Sequence, residues 1–220
     1  MPYAISSEGF AVRIVVIGAG NMGSALAHAL DVAGHTVTVT ARNPAHAAKV
    51  AGELKVAAAA SNREAVPNAD MVVLAVPSKA VAAVVEDLDG LLGEAIVVDT
   101  TNPSGVDREQ ILRGSASVAE AILLLAPDVR VVKAFNTVFA GRLNDPSING
   151  VPLDGFYAGD DSAAKRVVAD LLAEMGFRPV DTGELLTARV LELMAFLNID
   201  LNLRHGWPWQ SGWKLLGPTG

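Results

Sequence analysis

The segment Val12 to Gly23, VRIVVIGAGNMG, constrains the fold most, because a β-branched apolar run leads straight into Gly18-x-Gly20-x-x-Gly23 and an alanine-rich helical pattern follows. In that setting each glycine has its own task. Gly18 makes the tight turn out of a strand, Gly20 lets the backbone approach a pyrophosphate, and Gly23 lets a helix from Asn21 to about Ala33 pack closely on the sheet. The N–H groups at the start of that helix, around Asn21 and Met22, lie at the positive end of its dipole and suit a phosphate. A plain structural strand–helix turn is the alternative. The segment predicts an α/β fold with a doubly wound, mostly parallel sheet of the Rossmann type.

The rest of the chain keeps the alternation. Thr36 to Thr40 reads as a second strand, Pro44 to Gly52 as a helix, Lys55 to Ala57 as a short strand, and Ser61-x-x-Glu64 as the capping box of a further helix. Met71 to Val76, Ala95 to Val98 and Val129 to Ala134 are continuous apolar runs, as parallel strands buried on both faces should be, with helices over Ala80 to Leu88 and Ser117 to Ala126. Asn, Asp, Pro and Gly then cluster at Asn144 to Asp154 as a linker. The division is a nucleotide-binding domain at 1–145 and a small C-terminal α/β annex at 146–220. In the annex, Gly155 to Gly159 and Arg178 to Asp181 are strands, and Ala164, Val167, Val168, Leu171, Leu172 and Met175 form one helical stripe. The last helix, about Glu184 to Leu203, carries apolar residues on several sides, which predicts a homodimer interface.

The end of the second strand distinguishes between nicotinamide cofactors. An NAD enzyme places an acid roughly 20 residues beyond the glycines, where it binds the ribose 2′-hydroxyl. This chain has Thr40-Ala41-Arg42-Asn43 there and no carboxylate. Arg42, flanked by Thr40 and Asn43, offers charge and hydrogen bonds to a 2′-phosphate, so NADP is the expected cofactor. A solvated arginine before a proline-started helix is the alternative.

Ligands of such sheets lie at the carboxyl ends of the strands. Ala75, Val76 and Pro77 follow the strand at Met71, and their backbone could line the nicotinamide ribose. Asn102, in Asp99-Thr100-Thr101-Asn102-Pro103, could hydrogen-bond the nicotinamide or simply make an Asn-Pro turn. Asn136 and Thr137 follow the sixth strand and would face a second ring, as acceptor-positioning candidates. No acid or base side chain is expected, because hydride transfer between two rings needs proximity and alignment more than a protonating residue. Lys133 sits in an apolar strand with no dehydrogenase motif around it. Trp207, Trp209 and Trp213 could wall an aromatic ligand or pin the tail to the core.

Composition excludes other classes. A net charge of −7 without a dense Lys/Arg cluster argues against a nucleic-acid partner. With no cysteine there is no thiolate nucleophile, and the chain suits a reducing cytoplasm. The most apolar stretch, Met71 to Val85, is broken by Pro77, Ser78 and Lys79, so no membrane span is expected, and MPYAISSEGF lacks the basic and apolar regions of a secretory signal. There is no H-E-x-x-H, no G-x-S-x-G, no Tyr-x-x-x-Lys and no clustered metal ligands, so no metal is expected.

Taken together, GAGNMGSALA, TARNP, VVLAVP, DTTNP, KAFNT and YAGDDSAAKRVVADLLAEMGFRPVDTG resemble the reduced-F420:NADP oxidoreductases, over most of residues 12–203. The resemblance implies an N-terminal Rossmann domain that binds NADP, a small C-terminal domain that helps bind the deazaflavin coenzyme F420, and direct hydride transfer between the rings. The family's Ser-Arg pair for the 2′-phosphate is matched here by Ala41-Arg42. Archaeal members carry a histidine in an A-L-H-T segment near the deazaflavin, where this chain has Ala134-Phe135-Asn136-Thr137. KAFNT is closer to the reductase domains of membrane metalloreductases, which use NADPH and a flavin.

Two other functions remain compatible with the sequence. One is an NADPH-dependent reductase of a flavin, an imine or another small acceptor, as in the pyrroline-carboxylate reductases, whose helical C-terminal domain is larger than the residues after Asn144 can supply. The other is a non-catalytic NADP(H)-binding module that senses redox state. In each case the expected partners are small-molecule redox cofactors and a second copy of the chain.

Overall fold

The structure, a computed structural model, describes residues 11–103 and 105–217; the first ten residues, MPYAISSEGF, lie outside them. The nucleotide-binding half runs β1 (Arg13–Ile17), α1 (Asn21–Val32), β2 (Thr36–Thr40), α2 (Pro44–Leu54), β3 (Ala57–Ala58), α3 (Asn62–Ala65), β4 (Met71–Leu74), α4 (Ser78–Asp87), β5 (Ile96–Asp99), α5 (Gly105–Leu112), α6 (Val118–Leu125) and β6 (Arg130–Ala134). Its six strands are parallel in the order β3-β2-β1-β4-β5-β6, and the order in which they are laid down switches sides between β1 and β4. This is the doubly wound, Rossmann-like sheet that the glycine fingerprint predicts.

Side-chain alternation explains the two layers. Ile14 and Val16 of β1 face a core closed by Leu26 and Leu30 of α1, Val50 of α2 and Val168 of the later helix at residues 162–174. Val15 and Ile17 face the opposite way, against Val81 and Val85 of α4 and Ile122 of α6. Both faces of the central parallel strands are therefore dry, and β4, MVVL, is buried throughout and carries no polar residue.

The second half runs β7 (Ser147–Ile148), β8 (Val151–Pro152), β9 (Asp154–Gly159), α7 (Ser162–Glu174), β10 (Arg178–Asp181) and α8 (Ala188–His205). It does not build a separate sheet. β9 pairs antiparallel with β6, Val132 opposite Gly159, and β10 pairs parallel with β9, so one sheet of eight strands runs across the boundary expected near residue 145. The free edge of β6 would otherwise expose a row of unpaired backbone groups, which β9 satisfies. Gly159 permits the approach, since a Cβ there would meet Val131 O at 3.0 Å. The residues expected as a linker also contain structure: β7 and β8 form a hairpin turning at Asn149 (φ 52°) and Gly150 (φ 76°).

Of the three tryptophans, Trp213 alone packs on a buried cluster, while Trp207 and Trp209 stay exposed. Trp213 packs beside Phe156, Ala158 and Leu191, and its carbonyl accepts from Asp154 N at 2.9 Å. Trp207 stacks on His205, and Trp209 meets Phe139 edge-to-face at 5.5 Å. No helix among the described residues is long and apolar enough to cross a membrane.

Candidate cofactor site at the carboxyl edge of the sheet

The glycine turn has the geometry its sequence requires. Gly18 takes φ +119°, and a Cβ there would lie 2.3 Å from Ala75 O; a Cβ on Gly23 would lie 1.8 Å from Gly18 O. Both are therefore fixed by close backbone approach, one to the segment after β4 and one to the turn itself. Gly20 differs: a Cβ there would meet nothing within 4 Å, so it opens onto free space. Gly20 is also the N-cap of α1, where no side chain caps the helix and no acid stands in the first turn. Backbone N–H groups, open space and a helix dipole converge there, and they fit a dinucleotide's pyrophosphate.

The residues at the end of β2 separate. Thr40 is fully buried, and its hydroxyl donates to Asn62 Oδ1 at 2.7 Å. Asn43 caps α2, accepting from Ala45 N at 3.1 Å. Both side chains thus have structural partners, and Arg42 is the exposed cation of the three. His46, which the sequence did not single out, has Nε2 3.0 Å from Ala19 O and so donates from α2 into the glycine turn. Its signal was only its place two residues after the proline that opens α2.

Ala75, Val76 and Pro77 lead from β4 into α4, another helix with no side-chain cap. Beyond them, Asn102 and Asn136 are bonded to each other. Asn102 Nδ2 donates to Asn136 O, and Asn136 Nδ2 donates to Asn102 Oδ1, each at 2.9 Å. The chain reaches this arrangement through Phe135, a buried residue at φ 62°, in the left-handed region that a bulky side chain enters at a cost of about 1–3 kcal/mol. Asn136 Oδ1, Thr137 Oγ1 and Thr101 Oγ1 are buried and find no hydrogen-bond partner within the protein. Such atoms are costly unless a ligand meets them.

Behind this edge lies a charged cluster that the sequence did not reveal. Lys133 Nζ donates to Asp99 Oδ2 at 2.7 Å, to Glu192 Oε1 at 2.7 Å and to Thr101 O at 2.6 Å, and all three ionisable side chains are wholly buried. Asp99 Oδ1 accepts from Thr101 N at 2.9 Å, and Glu192 Oε1 also accepts from Val118 N at 3.0 Å. Burial pushes the Glu192 carboxyl up, and Lys133 only partly opposes it. β5, β6 and α8 meet at this cluster.

Comparison with known proteins decides the family. Residues 13–103 match the family model described as NADP oxidoreductase coenzyme F420-dependent. Over 211 residues the chain is 32% identical to the F420-dependent NADP reductase of Methanothermobacter thermautotrophicus, covering 88% of this chain and 90% of that one. The chain belongs to the F420-dependent NADP reductase family. A solved structure from Arthrobacter sp. FB24, provisionally identified as an F420-dependent NADP reductase, is 28% identical with a TM-score of 0.82, over 94% of this chain and all of that one. Metalloreductase STEAP3 of Rattus norvegicus is 32% identical over 201 residues, which span 90% of this chain and 38% of the longer metalloreductase.

Proposed function

We propose that the protein is an NADP-dependent oxidoreductase that passes hydride between NADPH and coenzyme F420. The observation that carries this, within a chain of this family, is the pair of buried, unpartnered polar atoms, Asn136 Oδ1 and Thr137 Oγ1, on the same sheet edge as the uncapped glycine turn. NADPH, when bound, supplies the hydride. Gly18, Gly20, Asn21, Met22 and Gly23 hold the pyrophosphate, and Arg42 holds the 2′-phosphate. Ala75, Val76, Pro77 and Asn102 line the nicotinamide side. Asn136 offers an acceptor and Thr137 a hydroxyl that either donates or accepts, which together match a ring edge bearing an N–H beside a carbonyl. The hydride leaves NADPH for the acceptor ring, and the proton that completes the reduced ring comes from solvent, so no side chain at this edge needs to supply it; alignment within roughly 3–3.5 Å does most of the work in a ring-to-ring transfer.

Residues 146–220 serve as the acceptor-side and dimerisation unit of this reading, and the protein works in the cytoplasm as a homodimer. What supports the dimer is an apolar strip along and just before α8, where Leu186, Val190 and Leu197 are 57%, 52% and 49% exposed. A second copy burying that strip on itself is the commonest solution for such a surface.

A flavin as acceptor is the second reading, favoured by the KAFNT segment and the metalloreductase likeness. Steady-state reduction of F420, and separately of FMN, by wild type and Thr137→Phe separates the two, with NADPH binding measured alongside. Thr137→Phe is expected to slow its preferred acceptor about a hundredfold through misplacement while NADPH affinity hardly moves. Full activity in the variant would remove Thr137 from the acceptor site.

A further inference from the structure

Lys133 presents three N–H donors, and three acceptors surround it: Asp99 Oδ2, Thr101 O and Glu192 Oε1. Its hydrogen bonding is complete, so it has no donor left to offer a substrate. The bond to Thr101 O has a counterpart in the bond from Thr101 N to Asp99 Oδ1. Thr101 is therefore gripped through both of its backbone groups by a pair of buried charges from neighbouring strands. On one side of it, Thr100 N and Oγ1 are tied to Leu74 O of β4 at 3.3 and 2.9 Å. On the other side stands Asn102, bonded to Asn136.

A loop fixed at three successive residues to β4, to the charged cluster and to the segment after β6 has little freedom to shift. A buried ion pair is a costly way to obtain mere stability, since well-packed apolar residues of similar volume do as well or better. Its distinctive product here is the placement of Thr101 and Asn102 at the edge where the second half of a dinucleotide lies in such sheets.

We propose that Lys133 is a positioning residue for the nicotinamide half of the cofactor, acting through Thr101 on the Asn102–Asn136 pair, with Asp99 and Glu192 holding the lysine in place. This rests on the NADP reading above. The adenosine 2′-phosphate and pyrophosphate subsites, at Arg42 and the glycine turn, lie beyond the cluster's bonds and do not depend on it.

The test compares two ligands that differ only in the half concerned: NADPH and 2′-phospho-ADP-ribose, which lacks the nicotinamide. Wild type is expected to bind NADPH at least about fivefold more tightly, the difference reporting the nicotinamide contacts. In Lys133→Met that advantage is expected to vanish, while affinity for 2′-phospho-ADP-ribose stays within about twofold of wild type, a split that general damage to the fold would not produce. Because Lys133→Met leaves two buried carboxylates facing each other, Lys133→Met/Asp99→Leu/Glu192→Met serves as the second variant, with every charge of the cluster replaced by apolar volume. It too is expected to bind 2′-phospho-ADP-ribose normally and to lose the NADPH advantage. Retention of the advantage in either folded variant overturns the proposal, as does a wild type with no advantage at all. A wild type that binds neither ligand would instead overturn the NADP reading on which the proposal stands.

Discussion

Asn102 and Asn136 form a reciprocal pair across the carboxyl edge, each donating its amide to the other, one to a backbone carbonyl and one to a side-chain oxygen, both at 2.9 Å. The sequence suggested separate partners for them, the nicotinamide for Asn102 and the acceptor ring for Asn136. Bonded in this way they act as one unit, and neither can move without the other. Asn102→Ala and Asn136→Ala should therefore be strongly non-additive. Each is expected to lower turnover about tenfold or more, and the double variant is expected to be little worse than the poorer single one, a coupling of about 1 kcal/mol or more. A double-mutant cycle on hydride transfer measures this, and simple additivity would show the two to be independent.

Cofactor choice rests on a single cation. With the Thr40 hydroxyl committed to Asn62 and the Asn43 amide oxygen to the cap of α2, Arg42 is the charged group at the end of β2 that can meet a 2′-phosphate. NADPH is expected to bind at least tenfold more tightly than NADH, about 1.4 kcal/mol from a charge-assisted contact, and Arg42→Glu should abolish or invert that ratio. Titration of both cofactors against both proteins checks it. An unchanged ratio in the variant would remove Arg42 from the site.

The fold was legible wherever local chemistry decides. β2 and β10 occupy the residues expected of them, and the three glycines fit the fingerprint, Gly18 and Gly23 through close backbone approach and Gly20 through open space. The hairpin at Asn149-Gly150 carries a turn signal, but the surrounding Asn, Asp and Pro residues make the same stretch read as a linker. What local pattern cannot convey is pairing over long separation. Nothing around Phe156 tells that β9 will run antiparallel on β6, because an apolar strand suits either direction. The Lys133 cluster was hidden for the same reason: Asp99, Lys133 and Glu192 are 34 and 59 residues apart in sequence, and each reads alone as an isolated charge in an apolar element. The candidate site was legible as a set of strand ends, but the bonds that commit Thr40, Asn43 and the asparagine pair were not.

The strip of Leu186, Val190 and Leu197 predicts self-association. Wild type is expected to sediment as a dimer at micromolar concentration, and Leu197→Glu to shift it toward monomer by placing a charge in the apolar contact. A monomeric wild type under those conditions would leave the strip without its expected role.

Asp154 anchors the C-terminal tail and gives the fold a predictable acid sensitivity. Its buried carboxylate meets Arg178 Nε at 2.7 Å, Arg178 Nη2 at 2.6 Å, Leu215 N at 2.6 Å and Lys214 Nζ at 3.2 Å. Burial alone would raise its pKa, but the bonds from Arg178, Leu215 and Lys214 more than reverse this and hold it below the usual carboxylate range. A carboxyl whose folded pKa lies below its unfolded value, about 3.9, stabilises the fold fully above that value and loses the contribution as pH falls through the folded one. Asp154→Asn is expected to cost about 3 kcal/mol at pH 7, with the gap to wild type narrowing below pH 4. Urea unfolding at pH 7 and pH 3 measures it, and an equal gap at both values would contradict the assignment.

Direct hydride transfer from NADPH to a ring held against Asn136 and Thr137 leaves an isotopic signature, read by offering the protein NADPH carrying deuterium at both C4 positions, with F420 as acceptor, in ordinary water. NADPH is expected to be oxidised only when the acceptor is present, and the reduced deazaflavin to carry one deuterium. Hydrogen from solvent in that position, or tight NADPH binding with no transfer to F420 or FMN, would contradict it.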